Sequence, residues 1–346
     1  SVQLDPRFEP GKVRWPIEDE AAELRELAGG AGCRVIGEVL AKRHRPVAGT
    51  FLGQGKLEEI AGEVRDGQTQ TVIFNQELSS AQQRNIEDVL RVKTIDRTQL
   101  ILDIFAQRAR SQEGKVQVEL AQLRYLLPRL IGKGIMLSRL GGGIGTRGPG
   151  EQKLEMDRRR IRARITRLDD ELEKLGRRRQ ATRLRRKETE VPVAALVGYT
   201  NAGKTTLLNR LTGADAPVKD QLFTTLDPLA RRAKLPSGEA IVVTDTVGFL
   251  HHLPHHLIEA FQATLEEARD ADVLLHVVDA SHPQLGERIT AVEEVLGNLK
   301  LQDKPRILAT DRADDLIEER VEVADGERVA VRGRVDAHAI GGDCHH

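Results

Sequence analysis

An apolar run, Val193-Ala194-Ala195-Leu196-Val197, passes directly into Gly198-Tyr199-Thr200-Asn201-Ala202-Gly203-Lys204-Thr205 and then into Thr206-Leu207-Leu208. The spacing Gly-x4-Gly-Lys-Thr between a strand and a helix start is the feature that most limits what this chain can fold into, because the loop works only in that setting. There the loop N–H groups converge on a β-phosphate and the helix dipole adds positive potential. Lys204 neutralises β and γ oxygens, and Thr205 is placed to ligate Mg²⁺. Residues Gly198 to Thr206 are thus the expected contacts of a nucleoside triphosphate.

Two later segments supply what a phosphate loop alone lacks. Ile241 to Thr244 reads as a buried strand ending in Asp245-Thr246-Val247-Gly248. A carboxylate there can hold the metal shell, and the Gly248 N–H can sense a γ-phosphate. Between them, Phe223-Thr224-Thr225-Leu226-Asp227-Pro228 carries two hydroxyls, of which Thr225 completes the metal shell only while a γ-phosphate is present, the behaviour of a switch. Lys204, Thr225 and Gly248 are the expected catalytic groups, and Thr205, Thr225 and Asp245 the metal ligands. Phe249 follows Gly248 where many such enzymes carry a water-orienting glutamine, so slow hydrolysis is expected until a partner or cation assists. Asn201 is a candidate ligand for K⁺ at the phosphates; an amide that ties loop backbone together accounts for it equally well.

Strand-like runs and amphipathic helices alternate on both sides of a helical middle. Thr71 to Phe74 followed by Ser80 to Leu90 marks a small α/β layer, and Gly53-Gln54-Gly55-Lys56 is read as a turn before a helix. From Val191 onward, strands at Val193–Val197, Ile241–Thr244, Val273–Val278 and Arg306–Ala309, with helices from near Lys204, His256 and Leu285, predict a parallel sheet covered on both faces. Between these regions Val116, Leu120, Leu123, Leu127 and Leu130 form one heptad seam, and Ile161, Ile165, Leu168, Leu172 and Leu175 another. An antiparallel hairpin follows, with Pro128 ending or kinking its first helix and Gly132 to Gly150 forming a glycine-rich tip. The fold class is α/β: a small N-terminal α/β domain (1–110), a helical hairpin (111–190, tip 132–150) and a phosphate-loop domain (191–346) with a degenerate C-terminal end.

The formal net charge is zero, yet residues 158–187 carry fourteen Lys or Arg against four Asp or Glu, leaving the rest of the chain correspondingly acidic. Such concentration fits a polyanion, whose condensed counterions are released on binding; a solvated helix face is the plainer alternative. In the tip, Arg139 and Arg147 offer planar donors and Gly141, Gly142 and Gly143 permit close backbone approach, making these the expected RNA contacts. No run of about 18 apolar residues occurs, so no membrane segment is expected. Cys33 and Cys344 stand far apart and outside any ligand cluster, and the first residues lack a basic, apolar leader; a cytoplasmic monomer is expected.

The chain resembles the HflX family of ribosome-associated translation GTPases. The likeness runs from about Gly53 to Asp279 and rests on Phe51-Leu52-Gly53-Gln54-Gly55-Lys56-Leu57, Ile95-Asp96-Arg97-Thr98, Ile104-Phe105-Ala106-Gln107-Arg108-Ala109, Phe223 to Pro228 and Asp245 to Phe249. Its most distinctive element is Gly141-Gly142-Gly143-Ile144-Gly145-Thr146-Arg147-Gly148-Pro149-Gly150-Glu151. The resemblance implies binding and hydrolysis of GTP with release of GDP, binding to the large ribosomal subunit with the hairpin near the peptidyl-transferase rRNA, and a part in dissociating or rescuing stalled ribosomes under stress. Some members are credited with ATP binding in the N-terminal layer. Where the family reads guanine through Asn-Lys-x-Asp, this chain has Asp311-Arg312-Ala313-Asp314. Asp314 can accept both donors of the guanine edge and the Arg312 stem can cover the base, but Asp311 sets an acceptor against the acceptors N7 and O6, a loss of about 1–3 kcal/mol in a dry site. Two alternatives therefore stand beside a GTPase: a ribosome- or RNA-binding protein of weakened guanine specificity, and an ATP-driven RNA remodeller powered by the N-terminal layer.

Overall fold

The computed structural model describes residues 2–4, 15–43, 45–140, 149–188, 191–214, 222–223, 225–227, 229–251, 257 and 262–310. They fall into two compact units: residues 1–190 with 219–227 and 253–264, and residues 191–218, 228–252 and 265–346. The N-terminal layer and the hairpin both lie in the first unit.

In the first unit, β1 (Val2–Leu4) pairs in parallel with β2 (Ala41–Arg43), with α1 (Ile17–Gly30) between them in sequence. Next come α2 (Gln54–Asp66), β3 (Thr71–Phe74), α3 (Ser80–Leu90), β4 (Lys93–Asp96) and α4 (Arg97–Arg108), with β3 and β4 parallel. Gly53 caps α2 without a phosphate-loop turn, as the segment's spacing predicts. Ser79 and Gln82 form a reciprocal capping box that starts α3, and Asp96 caps α4 through Gln99 N. Phe51, Leu57, Ile60, Phe74, Leu78 and Ile86 fill the core between α2, α3 and the strands.

The hairpin is α5 (Gln112–Leu140) and α6 (Pro149–Glu188). Val116, Leu120 and Leu168 are buried at its seam, with Leu123, Ile165 and Leu172 packed against them, so the heptad reading holds where these side chains meet. Glu119 accepts two hydrogen bonds from Arg164, both 2.7 Å, so part of the basic charge is neutralised within the hairpin. Arg129 joins α5 to the layer below, donating to Leu78 O (2.8 Å) and Asp96 Oδ2 (2.9 Å) while lying 3.4 Å from the Tyr125 ring centre.

The expectation that Pro128 ends its helix and the placing of Gly132 to Leu140 in the tip are corrected. Pro128 lies inside α5, and Gly132 to Leu140, assigned to the tip, continue the helix. Proline's fixed φ is itself helical, and Pro128 is exposed, so its ring does not have to be fitted into the packed seam. The distinctive residues Gly141, Gly142, Gly143 and Arg147 lie outside the described residues, and only the backbone of Arg139 is described.

The second unit is a five-stranded sheet in the order β6-β7-β5-β8-β9, built from β5 (Val193–Gly198), α7 (Lys204–Thr212), β6 (Leu229–Lys234), β7 (Ala240–Asp245), α8 (Gln262–Asp270), β8 (Val273–Val278), α9 (Leu285–Asn298) and β9 (Arg306–Thr310). The expected strands form β5, β7, β8 and β9, all parallel; the sheet is mixed, however, because β6 joins the edge antiparallel to β7. Sequence pattern missed β6 because Arg231, Arg232 and Lys234 break its apolar alternation; the turn closed by Leu235 N to Glu239 O (2.8 Å) brings it back along β7. The helix expected from His256 begins at a residue outside the described ones.

Candidate nucleotide site

The central strand β5 delivers the phosphate loop to the carboxyl ends of the parallel strands, where open α/β sheets bind ligands. Gly198, at φ 154°, lies so close to β8 that an added Cβ would stand 2.3 Å from Val277 O. Asn201 takes a left-handed φ of 60°, and Gly203, at φ 84°, caps α7. Thr200 and Ala202 are buried, whereas Asn201 and Thr206 are exposed.

Lys204 opens α7 and is 6% exposed. Its Nζ donates to Tyr199 O (2.7 Å) and Gly198 O (3.2 Å), which bends the side chain back over the loop. Burial lowers its pKa to about 8, against the opposing influence of Asp245. A phosphate brought to this ammonium restores the charge that burial disfavours, so the site is polarised toward anions before one arrives.

Asp245 ends β7 fully buried, and its Oδ2 accepts from Thr205 Oγ1 at 2.8 Å. A hydroxyl and a carboxylate in contact at a helix N-terminus are hard oxygen donors of the kind Mg²⁺ takes, with phosphate oxygens and water completing the shell. Among the described residues no group of three or more His, Cys, Asp or Glu could hold a metal by itself.

The turn after Asp245 is stitched to the phosphate loop. Thr200 N donates to Phe249 O (2.7 Å) and Phe249 N to Gly198 O (3.0 Å). Gly248 lies so close that a Cβ would stand 2.6 Å from Thr200 Cα and 3.1 Å from Lys204 Nζ. Only glycine permits this approach, and it brings the Gly248 backbone beside the lysine head. The Phe249 side chain is wholly buried and anchors the turn.

Sequence reasoning did not find the outer support of the loop. Arg288 on α9 lies 4.7 Å from the Tyr199 ring centre, and the Tyr199 hydroxyl accepts from His251 N at 2.9 Å. Neither partner has a motif, since each acts through tertiary contact alone. On β8, His276 is 3% exposed, and burial carries its pKa down to about 4 despite Glu293 nearby. The structure thus brings together Gly198 to Thr205, Asp245 and Gly248. Thr225 falls in the other compact unit, and Asp311, Arg312 and Asp314 lie outside the described residues.

Comparison with known proteins finds GTP-binding relatives. A family model described as 50S ribosome-binding GTPase matches residues 193–312; models described as GTP-binding GTPase N-terminal and GTP-binding GTPase middle region match 18–106 and 108–186. The crystal structure of the SsGBP and GDP complex is 26% identical, covering 92% of this chain and 83% of that one at a TM-score of 0.47. GTPase HflX of Caldanaerobacter subterraneus subsp. tengcongensis is 56% identical over 297 residues, 86% of this chain and 69% of that protein. GTPase HflX of Escherichia coli K12 is 46% identical over 298 residues, 86% of this chain and 70% of that protein. With such identity across more than two thirds of both relatives, the chain belongs to the HflX family of GTPases.

Proposed function

We propose that the chain hydrolyses GTP at the Lys204 loop and uses that cycle on the large ribosomal subunit, in dissociating or rescuing stalled ribosomes under stress. The observation that carries the reading is the convergence of Lys204, the Thr205–Asp245 pair and the Gly248 backbone on one loop at the carboxyl end of a central parallel strand. Thr205 and Asp245 would hold Mg²⁺, and Thr225 is the proposed third ligand while a γ-phosphate is present. When bound, the ion neutralises charge developing on the β and γ oxygens. Lys204 takes the remaining phosphate charge, and the Gly248 N–H reports the γ-phosphate. Water attacks that phosphorus in line, the bond to the β-phosphate oxygen breaks, and GDP and phosphate leave. Asn201 is the proposed K⁺ ligand at the phosphates. Asp314, Arg312 and Asp311 read the base, the last at some loss of guanine preference.

Support for a ribosomal partner comes from the family description matched by residues 193–312 and from the charge of α6, where the Arg159, Arg160 and Arg177 side chains are about three-quarters exposed. Arg139, Gly141, Gly142, Gly143 and Arg147 are the proposed rRNA contacts. Among the described residues no helix is long and apolar enough to cross a membrane. Action on ribosomes, as proposed, would place the protein in the cytoplasm.

The test is GTP hydrolysis with and without purified large subunits at two potassium concentrations, with Lys204→Ala as control. Because Phe249 cannot orient water, turnover alone should be slow, and subunits should raise it by a factor on the order of 10³ or more. An unstimulated rate at both potassium concentrations would remove the partner-activated mechanism.

A further inference from the structure

The switch segment is fastened to the start of the hairpin. Asp227, two residues after Thr225, receives three hydrogen bonds from the junction of α4 and α5. Its Oδ2 accepts from Arg110 N (2.9 Å) and Ser111 N (2.8 Å), and its Oδ1 accepts from Ser111 Oγ. Ser111 Oγ in turn accepts from Gly114 N (2.9 Å), the N-cap bond of α5. Three donors on one carboxylate at the positive end of a 29-residue helix make a charge-assisted clamp.

Two further features fix the segment. Leu222, Phe223 and Leu226 are buried, and the Phe223 ring meets the Phe105 ring edge-on at 4.5 Å. Phe223 also holds a left-handed φ of 58°, which persists only where surroundings over-determine it. Gly114 leaves the space that the carboxylate occupies: a Cβ there would stand 2.3 Å from Asp227 Oδ1.

We propose that Asp227 is a positioning residue that couples the nucleotide at the phosphate loop to helix α5, and so to the hairpin. The inference rests on the switch role proposed for Thr225. Two residues of chain span at most about 7 Å, so Thr225 cannot change its engagement without Asp227 feeling it. Anchoring Asp227 reduces the ordering needed to bring Thr225 to a metal, which favours triphosphate over diphosphate. Linkage then requires the converse: triphosphate tightens the clamp on α5.

The experiment compares hydrogen exchange of the amides from Arg110 to Lys115 in the full chain with GDP and with a non-hydrolysable GTP analogue, both with Mg²⁺, together with the affinities for both nucleotides. Wild type should exchange about tenfold more slowly with the analogue than with GDP at these amides. Asp227→Ala should weaken analogue binding about tenfold, leave GDP affinity in place and abolish the difference in exchange. Asp227→Asn, which keeps one acceptor oxygen, should fall between. Gly114→Ala expels the carboxylate without altering the switch segment and should reproduce Asp227→Ala, although alanine favours the helix and a merely structural role predicts a more protected α5. Equal exchange with both nucleotides in wild type, or parallel loss of both affinities in Asp227→Ala and Gly114→Ala, overturns the coupling. If wild type binds neither nucleotide, or Lys204→Ala binds both as wild type does, the GTPase reading itself fails and takes the coupling with it.

Discussion

Gly248→Ala is the sharpest probe of how the turn after β7 is fitted to the phosphate loop. The new methyl would stand 2.6 Å from Thr200 Cα and 2.8 Å from Thr200 Cβ, so turn and loop must separate by about 0.8 Å to reach ordinary contact near 3.4 Å. The bonds most exposed to that movement are Thr200 N to Phe249 O, 2.7 Å, and Phe249 N to Gly198 O, 3.0 Å. Lengthening both by that amount takes the first to the limit of hydrogen-bond range, about 3.5 Å, and the second past it, about 3.8 Å, at about 1–3 kcal/mol for each buried group left unsatisfied. A loss of about 2–5 kcal/mol is therefore expected, a large part of the roughly 5–15 kcal/mol that holds a domain folded. The methyl also stands 3.1 Å from Lys204 Nζ, so affinity for a triphosphate should fall by about ten- to a hundredfold, the worth of one hydrogen bond to a charged group. Urea unfolding followed by far-ultraviolet circular dichroism reads the first quantity, and titration with a fluorescent GTP analogue the second. Trp15, the single tryptophan, belongs to the other compact unit, so its fluorescence transition should move less than the dichroism. Stability within about 0.5 kcal/mol of wild type, together with unchanged affinity, would refute the close approach and with it the placement of the Gly248 N–H.

Three further outcomes follow from the same geometry. Lys204, with a pKa of about 8 that phosphate would raise, makes triphosphate affinity constant below that pH and falling by up to about tenfold per unit above it; calorimetry in two buffers should show proton uptake on binding near pH 8.5, and its absence would contradict the buried lysine. His276 is neutral in the fold with a pKa near 4, so the unfolded chain binds the extra proton between its ordinary 6.5 and that value; stability should decline across this window as pH falls, by at most about 3 kcal/mol, and His276→Gln should flatten the decline in acid denaturation. Thr205→Ala and Asp245→Asn should each weaken Mg²⁺-dependent nucleotide binding more than binding in the presence of a chelator, measured by titration in magnesium and in EDTA; an equal effect in both would show that the pair holds no metal.

Much of the nucleotide-binding unit is legible in sequence because its chemistry is carried by backbone. A loop that turns N–H groups toward a phosphate admits few residues, and the steric limits at Gly198 and Gly248 are written directly as glycine. The same holds for strands buried on both faces, such as β5 and β8, whose apolar runs need no partner to be read. Edge strand β6 is different: Leu229–Lys234 is basic, and pairing with β7 makes it a strand. Pro128 does not end α5, which continues beyond it from a seam packed at Val116, Leu120 and Leu123. The grouping of the switch segment with the first unit was beyond sequence reasoning, since Asp227 meets Ser111 across 116 positions and no local pattern encodes that meeting. Tyr199 illustrates the same limit within the loop: its place in the motif is evident, while its supports, Arg288 and His251, are set by the fold.

The most direct test of the central claim is equilibrium binding of a non-hydrolysable GTP analogue to wild type and Lys204→Ala, each with and without Mg²⁺. Lys204 lies beneath the loop beside Gly248, and Thr205 and Asp245 are the proposed metal donors, so wild type should bind tightly and depend on magnesium, while the variant loses about a hundredfold or more of that affinity. Equal, magnesium-independent binding by the two proteins would place the nucleotide elsewhere and contradict the account.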